Sequence, residues 1–183
     1  MTKKEQRILA LARRRAMRPE ERAQASGLIC ESLLALPELQ DARVIFSYMA
    51  MAEEVDLTAL HERLRWQGLQ PAFPLSLPRG RMEARLPGGW RVGAYGIREP
   101  DPASSTLVAP EDIDLVMMPC VAFDRENMRL GHGAGYYDRY LPQCPQAVTV
   151  MVAFEAQRLE HVVFDVYDRA ADIVVTERGV YRK

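Results

Sequence analysis

Apolar residues near the start of the chain recur at the spacing of an α-helix. We predict a first helix that Thr2 caps and that ends near Met17, since a threonine oxygen accepts from the first free N–H groups. A second helix begins at Pro19, because proline is favoured at a first helical position, and ends before Pro37. The apolar residues that share one face are Ile8, Leu11 and Ala12 in the first helix and Leu28, Ile29, Leu33 and Leu36 in the second.

After Pro37 the pattern changes to short runs of β-branched and aromatic residues, which are typical of strands. Helical spacing returns before Gly68, in a segment that contains His61, and we expect that histidine at the surface. The predicted strands are residues 43–49, 69–73, 113–118, 147–154 and 172–176, with 180–181 pairing at an edge, and the predicted helices are 55–66 and 136–141.

The middle of the chain has a different composition. Residues 74–112 are rich in proline, glycine and serine, which predicts loops with one short strand near residues 82–86. Residues 121–123 and 128–130 flank a turn-forming Asp-Arg-Glu-Asn segment, which predicts a hairpin.

Strands that alternate with helices predict an α/β fold. We expect residues 1–183 to form a single domain, built as a three-layer, open, mostly parallel sheet with helices on both faces. Ligands bind such sheets at the carboxyl ends of the strands. The loops after Met49 and Thr176 and a glycine-rich stretch at 131–135 are therefore candidates for one site.

Composition excludes several other classes of protein. Of the 183 residues, 48% are apolar and 27% charged, which excludes disordered, collagen-like and coiled-coil chains. The net charge of −1 argues against general binding to nucleic acid, and the longest apolar runs are far shorter than the roughly 18 residues of a membrane helix. We therefore expect neither nucleic acid nor a membrane as a partner.

Sequence features also bear on the compartment. An apolar stretch at residues 8–12 runs straight into Arg13–Arg15 without a small-residue cleavage site, so we predict no signal peptide. The three cysteines, Cys30, Cys120 and Cys144, are widely spaced, which favours reduced thiols in a cytoplasmic protein.

The segment from Arg129 to Arg139 carries the strongest chemical pattern. Glycines alternate at positions 131, 133 and 135, so the backbone can approach a ligand closely and its amides can cradle a phosphate. The two arginines bracket this loop as candidate phosphate clamps, and Asp138 is a candidate Mg²⁺ ligand. The loop is neither a Walker A motif nor a dinucleotide fingerprint, and a flexible surface loop is the alternative.

Other charged segments have two interpretations each. Residues 53–56 contain three carboxylates that either bind a polar ligand or favour a helix N-terminus. Asp165, Asp168 and Asp172 either complete a metal site or form a solvated turn, and the basic residues of the first helix either touch phosphates or face solvent. Neither a Ser/His/Asp pattern nor a Cys/His pairing can be recognised in the sequence, so we expect a reaction that does not use a protein nucleophile.

Taken together, these motifs resemble the 5-formyltetrahydrofolate cyclo-ligase family along almost the whole chain. The segment Arg-Leu-Gly-x-Gly-x-Gly-Tyr-Tyr-Asp-Arg is highly specific, and the others fall in the right order. The matching positions are Lys3 and Arg7, 47–49, 54–56, 95–100, 118–124, 129–139, Asp168 and 172–177.

The resemblance implies an ATP-dependent ligase that forms a carbon–nitrogen bond. Its substrate is 5-formyltetrahydrofolate and its product 5,10-methenyltetrahydrofolate, with ADP and phosphate released through a phosphorylated formyl intermediate. Mg²⁺ is the implied metal, and reduced folate and ATP are the implied small-molecule partners of a monomer.

The resemblance also implies a role for individual residues. The implied ATP-binding residues are Lys3 or Lys4, Arg7, Arg129, Gly131, His132, Gly133, Ala134, Gly135, Tyr136 and Tyr137. The implied folate-binding residues are Met49, Glu54, Tyr95 and Tyr137, and the implied metal ligands are Asp138 and Asp168, with Asp172 as the alternative to Asp168.

This chain departs from the family pattern at two positions of the site. Ala134 stands where some relatives carry a lysine, and Tyr167 where bacterial relatives often carry a histidine. Three other functions stay open: a folate-binding protein without turnover, a sugar-phosphate enzyme on a similar scaffold, and a nucleic-acid-binding module that uses the basic helix.

Overall fold

A five-stranded sheet lies at the centre of the computed structural model, which describes residues 1–93 and 96–183. The helices are α1 (Lys3–Ala16), α2 (Pro19–Leu34), α3 (Pro37–Asp41), α4 (Thr58–Trp66) and α5 (Tyr136–Tyr140). The first six strands are β1 (Ile45–Phe46), β2 (Phe73–Leu77), β3 (Arg81–Leu86), β4 (Trp90–Val92), β5 (Arg98–Pro100) and β6 (Thr106–Val108). The others are β7 (Leu115–Pro119), β8 (Ala122–Phe123), β9 (Arg129–Leu130), β10 (Val148–Val152), β11 (Ile173–Thr176) and β12 (Gly179–Arg182).

The central sheet has the order β1-β7-β10-β11-β12. The first four of these strands run parallel, and β12 pairs antiparallel with β11 at the edge. Leu115 of β7 lies beside Ile45 on one side and Val148 on the other. This arrangement confirms the predicted α/β class and the mostly parallel sheet.

Alternation along β7 divides the core between the two faces of the sheet. Leu115 and Met117 pack with α2 and α4 on one face. Val116 points to the opposite face, where it packs with Phe46, Ala84 of β3 and Tyr140 of α5. Successive side chains of a strand point to opposite faces, so a strand that is apolar throughout must be covered on both.

Within residues 1–93 and 96–183, three smaller antiparallel sheets extend the fold. β8 and β9 form the predicted hairpin, with Ala122 opposite Leu130, and α1 packs against it through Ala10. Strands β2, β3 and β6 form a three-stranded sheet beside β1, and β4 pairs with β5. A bridge between Phe46 and Ala72 joins the three-stranded sheet to the central one.

The short strand predicted near residues 82–86 is present as β3, but two other predictions in this region are wrong. The segment 74–112 contains four strands and part of a fifth rather than loops with one short strand. Strand β2 begins at Phe73, where the predicted strand 69–73 ends, and Pro74 lies inside it opposite Ala84. Proline is tolerated there because β2 is an edge strand of its sheet, so the missing N–H costs no pairing.

The remaining elements follow the predictions with shifted ends. The sequence pattern predicted the positions of five elements correctly: α1, α2, α5, β10 and β11. The predicted strand 43–49 is shorter, since only Ile45 and Phe46 pair with β7 before the chain leaves the sheet edge.

Two further features of the described residues are the length of the helices and the state of the cysteines. Across residues 1–93 and 96–183, no helix is long and apolar enough to cross a membrane. The three cysteines are free and buried.

His61 is buried on α4, so the prediction that it lies at the surface is wrong. Its Nε2 lies 2.7 Å from the Ser47 hydroxyl, and its ring meets Phe73 edge-on with 4.9 Å between centroids. Burial lowers the pKa of His61 to about 4, with the nearby Arg65 charge acting in the same direction.

The buried histidine predicts a pH-dependent loss of stability. Between pH 6.5 and about 4 the unfolded histidine binds a proton that the folded one excludes, so the free energy of unfolding falls as pH drops. We expect His61 to contribute about 2 kcal/mol of this loss between pH 7.5 and pH 5.

Urea unfolding of the wild type and of His61→Gln at both pH values measures this contribution. Glutamine can still bond the Ser47 hydroxyl but does not titrate, so the variant should lose less stability on acidification. Equal losses in the two proteins would contradict the prediction.

Candidate active site

A cleft of about 490 Å³ opens at the carboxyl end of β7, between α1, the glycine loop and the segment 165–168. The loop from Gly131 to Gly135 forms one wall, and residues brought from both ends of the chain form the other. The side chains that line it with the loop include Lys3, Arg7, Arg129, Tyr136, Tyr137, Asp138, Arg139, Asp165, Tyr167 and Asp168.

The glycine loop follows a path that other residues rarely adopt. Gly133 has a φ of +103° and Gly135 a φ of +71°. A Cβ on Gly135 would also lie 2.9 Å from an Arg139 Nη1 that donates to the Ala134 carbonyl. On the α1 side, the Arg7 Nε donates to the Gly131 carbonyl at 2.8 Å. The positive φ values therefore favour glycine at positions 133 and 135.

Oppositely charged pairs line the cleft. The Arg129 Nη2 donates to Asp138 Oδ1 at 2.9 Å, and the Lys3 ammonium contacts Asp165 at 2.8 Å as well as Asp168. Burial alone lowers the pKa of Lys3, but its hydrogen bonds to Asp165 and Asp168 outweigh this effect and raise it. Lys3 is therefore firmly cationic, and the same contact lowers the pKa of Asp165.

The carboxylates of the cleft fit a Mg²⁺ ion that takes only one or two ligands from the protein. Within the described parts of the chain, no group of three or more His, Cys, Asp or Glu side chains is arranged to hold a metal. Asp138 and Asp168 nevertheless line the same cleft. Mg²⁺ usually binds one or two carboxylates together with substrate phosphates and water, and two carboxylates beside a phosphate-type loop match that pattern.

A second cavity of about 420 Å³ lies on the other side of the glycine loop, against β2, β3 and β5. Its wall is mainly apolar, with Glu54 as a buried carboxylate. The Glu54 Oε2 accepts from the Met51 N–H at 3.0 Å, and Oε1 lies 3.3 Å from His132 Nε2. The other lining side chains include Tyr48, Met49, Pro74, Ser76, Met82, Ile97, Arg98 and Glu99.

The two cavities share one wall. Half-buried Tyr137 stands in it, with the Arg129 guanidinium 5.4 Å above its ring centroid. Desolvation of the Tyr137 hydroxyl raises its pKa, so the phenol stays protonated. The residues that line both cavities are Pro119, His132, Ala134, Tyr136 and Tyr137. A ligand in one cavity therefore lies next to a ligand in the other.

Most of the site residues predicted from sequence are brought together. The first cleft contains Lys3, Arg7, Arg129, the residues 131–137, Asp138 and Asp168, and the second cavity contains Met49, Glu54 and Tyr137. Lys4 is exposed on α1 and lines neither cavity. Tyr95 lies outside the described residues. Asp172 is bonded to the backbone and hydroxyl of Thr149 rather than facing the cleft.

Most of the second cavity was not predicted from the sequence. Ser76 and Met82 face each other across β2 and β3, and Glu99 of β5 accepts from the Ser76 N–H and from Arg91. Ser76 and Glu99 lie where loops were predicted, whereas Met82 belongs to the one short strand that was predicted near residues 82–86. Alternate burial of Met82 and Ala84 along β3 confirms that strand.

The fold and the site together define an α/β protein in which a glycine loop, of the kind that binds phosphate, separates two cavities. Each cavity is large enough for a small-molecule ligand. Residues 1–177 match the model of the 5-formyltetrahydrofolate cyclo-ligase family. The chain belongs to this family of ligases, which confirms the resemblance found in its motifs.

Individual relatives align with this chain over nearly its full length. The NMR structure of a 5,10-methenyltetrahydrofolate synthetase from Aquifex aeolicus is 34% identical, with a TM-score of 0.87 over 100% of this chain and 93% of that one. A mouse 5-formyltetrahydrofolate cyclo-ligase is 29% identical over 182 residues, which cover 90% of this chain and 88% of the relative. A synthetase from Mycoplasma pneumoniae, 23% identical with a TM-score of 0.80 over 97% and 99% of the two chains, shares the fold.

Proposed function

We propose that this protein converts 5-formyltetrahydrofolate to 5,10-methenyltetrahydrofolate with Mg²⁺ and ATP, releasing ADP and phosphate. One observation carries the proposal: the phosphate-type cleft and the mainly apolar cavity share the wall formed by the glycine loop. A phosphoryl group that passes from ATP to a folate needs both ligands side by side, and a shared wall supplies that arrangement.

In the proposed reaction, bonds form and break only between the two substrates, and no protein side chain acts as a nucleophile. The formyl oxygen attacks the γ-phosphorus of ATP, and the bond from that phosphorus to the bridging oxygen breaks with ADP as leaving group. The neighbouring folate nitrogen then attacks the activated formyl carbon and loses its proton, and phosphate departs with the carbon–oxygen bonding electrons. This phosphorylated formyl intermediate makes a poor electrophile reactive, so the protein must position two substrates and stabilise charge.

The proposed ATP site is the first cleft. Lys3, Arg7 and Arg129 are the cations available to phosphate oxygens, and residues 131–137, whose backbone amides are candidate donors, line the same cleft. Tyr136 and Tyr137 are available to either ligand because they line both cavities. Charge on a transferring phosphoryl group is stabilised best by fixed donors, which these side chains and amides provide.

Asp138 and Asp168 are the residues that we propose hold Mg²⁺, directly or through water. Their ion pairs with Arg129 and Lys3 keep each carboxylate beside a cation that the phosphates would also engage. Mg²⁺ held by these carboxylates would neutralise part of the negative charge on the phosphates during the transfer.

The proposed folate site is the second cavity. Glu54 can accept hydrogen bonds from neighbouring N–H donors of a pterin ring, and Met49 and Tyr137 offer apolar surface to its faces. Burial of the Glu54 carboxylate strengthens such bonds, since few water molecules compete for it.

We also propose that residues 1–183 act as one domain, as a cytoplasmic monomer that binds small molecules only. The near-zero net charge and the three buried, free thiols support this interpretation.

An absorbance assay tests the function directly. Purified protein is mixed with 5-formyltetrahydrofolate and Mg²⁺, and the near-ultraviolet band of the methenyl product is followed with and without ATP. We expect a rise that requires ATP. Folate binding without any rise would indicate a binding protein, and phosphate binding without folate binding would indicate a sugar-phosphate enzyme.

Asp138→Asn tests the proposed metal site. Because the amide is a weaker Mg²⁺ ligand and no longer carries charge, we expect the KM for ATP to rise about tenfold at fixed Mg²⁺. Steady-state kinetics against ATP measure this change. Asp41→Asn, at the exposed end of α3, is the matched control and should behave like the wild type. Unchanged ATP kinetics in Asp138→Asn would remove this residue from the metal site.

Glu54→Gln tests the proposed pterin contact. Loss of the charged acceptor should raise the KM for 5-formyltetrahydrofolate about tenfold, and by a larger factor than the KM for ATP. The control is Glu53→Gln, which changes the neighbouring carboxylate that pairs with Arg15 and lies outside the cavity lining. Equal effects on the two KM values would reject the pterin role.

A further inference from the structure

His132 stands at the boundary between the two cavities. It lies inside the glycine loop, between Gly131 and Gly133, and its side chain lines both the cleft and the second cavity. Its side chain is 42% exposed, so it can respond to what either cavity contains.

The contact that His132 makes is with the carboxylate of the second cavity. Its Nε2 lies 3.3 Å from Glu54 Oε1, while only 4% of the Glu54 side chain is exposed. The other described partner of that carboxylate is the Met51 N–H. A buried carboxylate is costly unless it is hydrogen-bonded, so the orientation of Glu54 depends in part on where His132 lies.

On its other side, the glycine loop is hydrogen-bonded to a residue of the first cleft. The Arg7 Nε donates to the Gly131 carbonyl, directly before His132, and Arg7 itself lines the cleft. A phosphate in the cleft competes for the Arg7 guanidinium and for the loop amides, so it changes the forces on the loop that carries His132. The same few residues thus connect an anion in one cavity with the orientation of Glu54 in the other.

We propose that His132 is a positioning residue through which nucleotide bound at the glycine loop strengthens folate binding at Glu54. This inference rests on the proposed function and adds a regulatory coupling to it. Coupling between two sites is a free energy and is reciprocal, so folate must tighten nucleotide binding by the same factor.

Calorimetry of the intact protein measures the coupling. 5-Formyltetrahydrofolate is titrated alone and again in the presence of Mg²⁺ and a saturating non-hydrolysable ATP analogue, and the analogue is titrated with and without the folate. For the wild type we expect each ligand to tighten the other about fivefold. His132→Ala should reduce that factor to about one.

Two further variants separate the hydrogen bond from a general structural effect. His132→Gln keeps an N–H of similar reach and should retain the coupling. His161→Ala is the matched histidine control, because His161 is exposed and lines neither cavity, and it should keep the wild-type factor.

The outcomes distinguish this inference from the proposed function. A wild type that binds neither ligand contradicts the function and the inference together. A wild type that binds both ligands without mutual tightening overturns the inference alone. Full coupling in His132→Ala, or its loss in His132→Gln, overturns the role given to the His132 hydrogen bond.

Discussion

Burial of β7 on both faces is the constraint on which the rest of the structure depends. Its side chains from Leu115 to Met118 are almost fully buried, and each such side chain stabilises the fold by roughly 1.5–3 kcal/mol. Since neighbours along the strand point to opposite faces, the helices α2 and α4 must cover one face, and α5 with β3 the other. The strand ends at Pro119, which lines both cavities, so this packing also fixes where the two cavities meet.

The charges around the first cleft follow from the same architecture. Packing of α1 against the β8–β9 hairpin brings Lys3 to Asp168, and the turn into α5 brings Asp138 to Arg129. Arg129 pairs with one carboxylate, Asp138, whereas Lys3 contacts two, Asp165 and Asp168. Under the proposed function, a nucleotide and Mg²⁺ would bring complementary charges, so their binding would exchange these pairs for new ones without leaving a charge uncompensated.

Sequence patterns predicted the parts of the fold that local physics determines. The parallel strands are continuous apolar runs, and the glycine spacing of the loop is visible in one short segment. Strand β3 was predicted near residues 82–86, but β2 was not, because it is half-buried and contains Pro74, a residue that is typical of loops. The pairing of Glu54 with His132, 78 positions apart, depends on how β1 and the loop after β9 are placed, which no local pattern encodes.

Two potential nucleophiles at or next to the shared wall, Tyr137 and Cys120, are held in their protonated forms. Cys120 follows Pro119 directly, and burial raises the pKa of its thiol to about 12 against the opposing charges of Arg129 and Arg14. The Tyr137 phenol is likewise kept protonated. A thiolate or phenolate at this position could attack an activated formyl carbon before the folate nitrogen does. Under the proposed function, the apolar packing that supports the wall therefore also protects the intermediate from the protein itself.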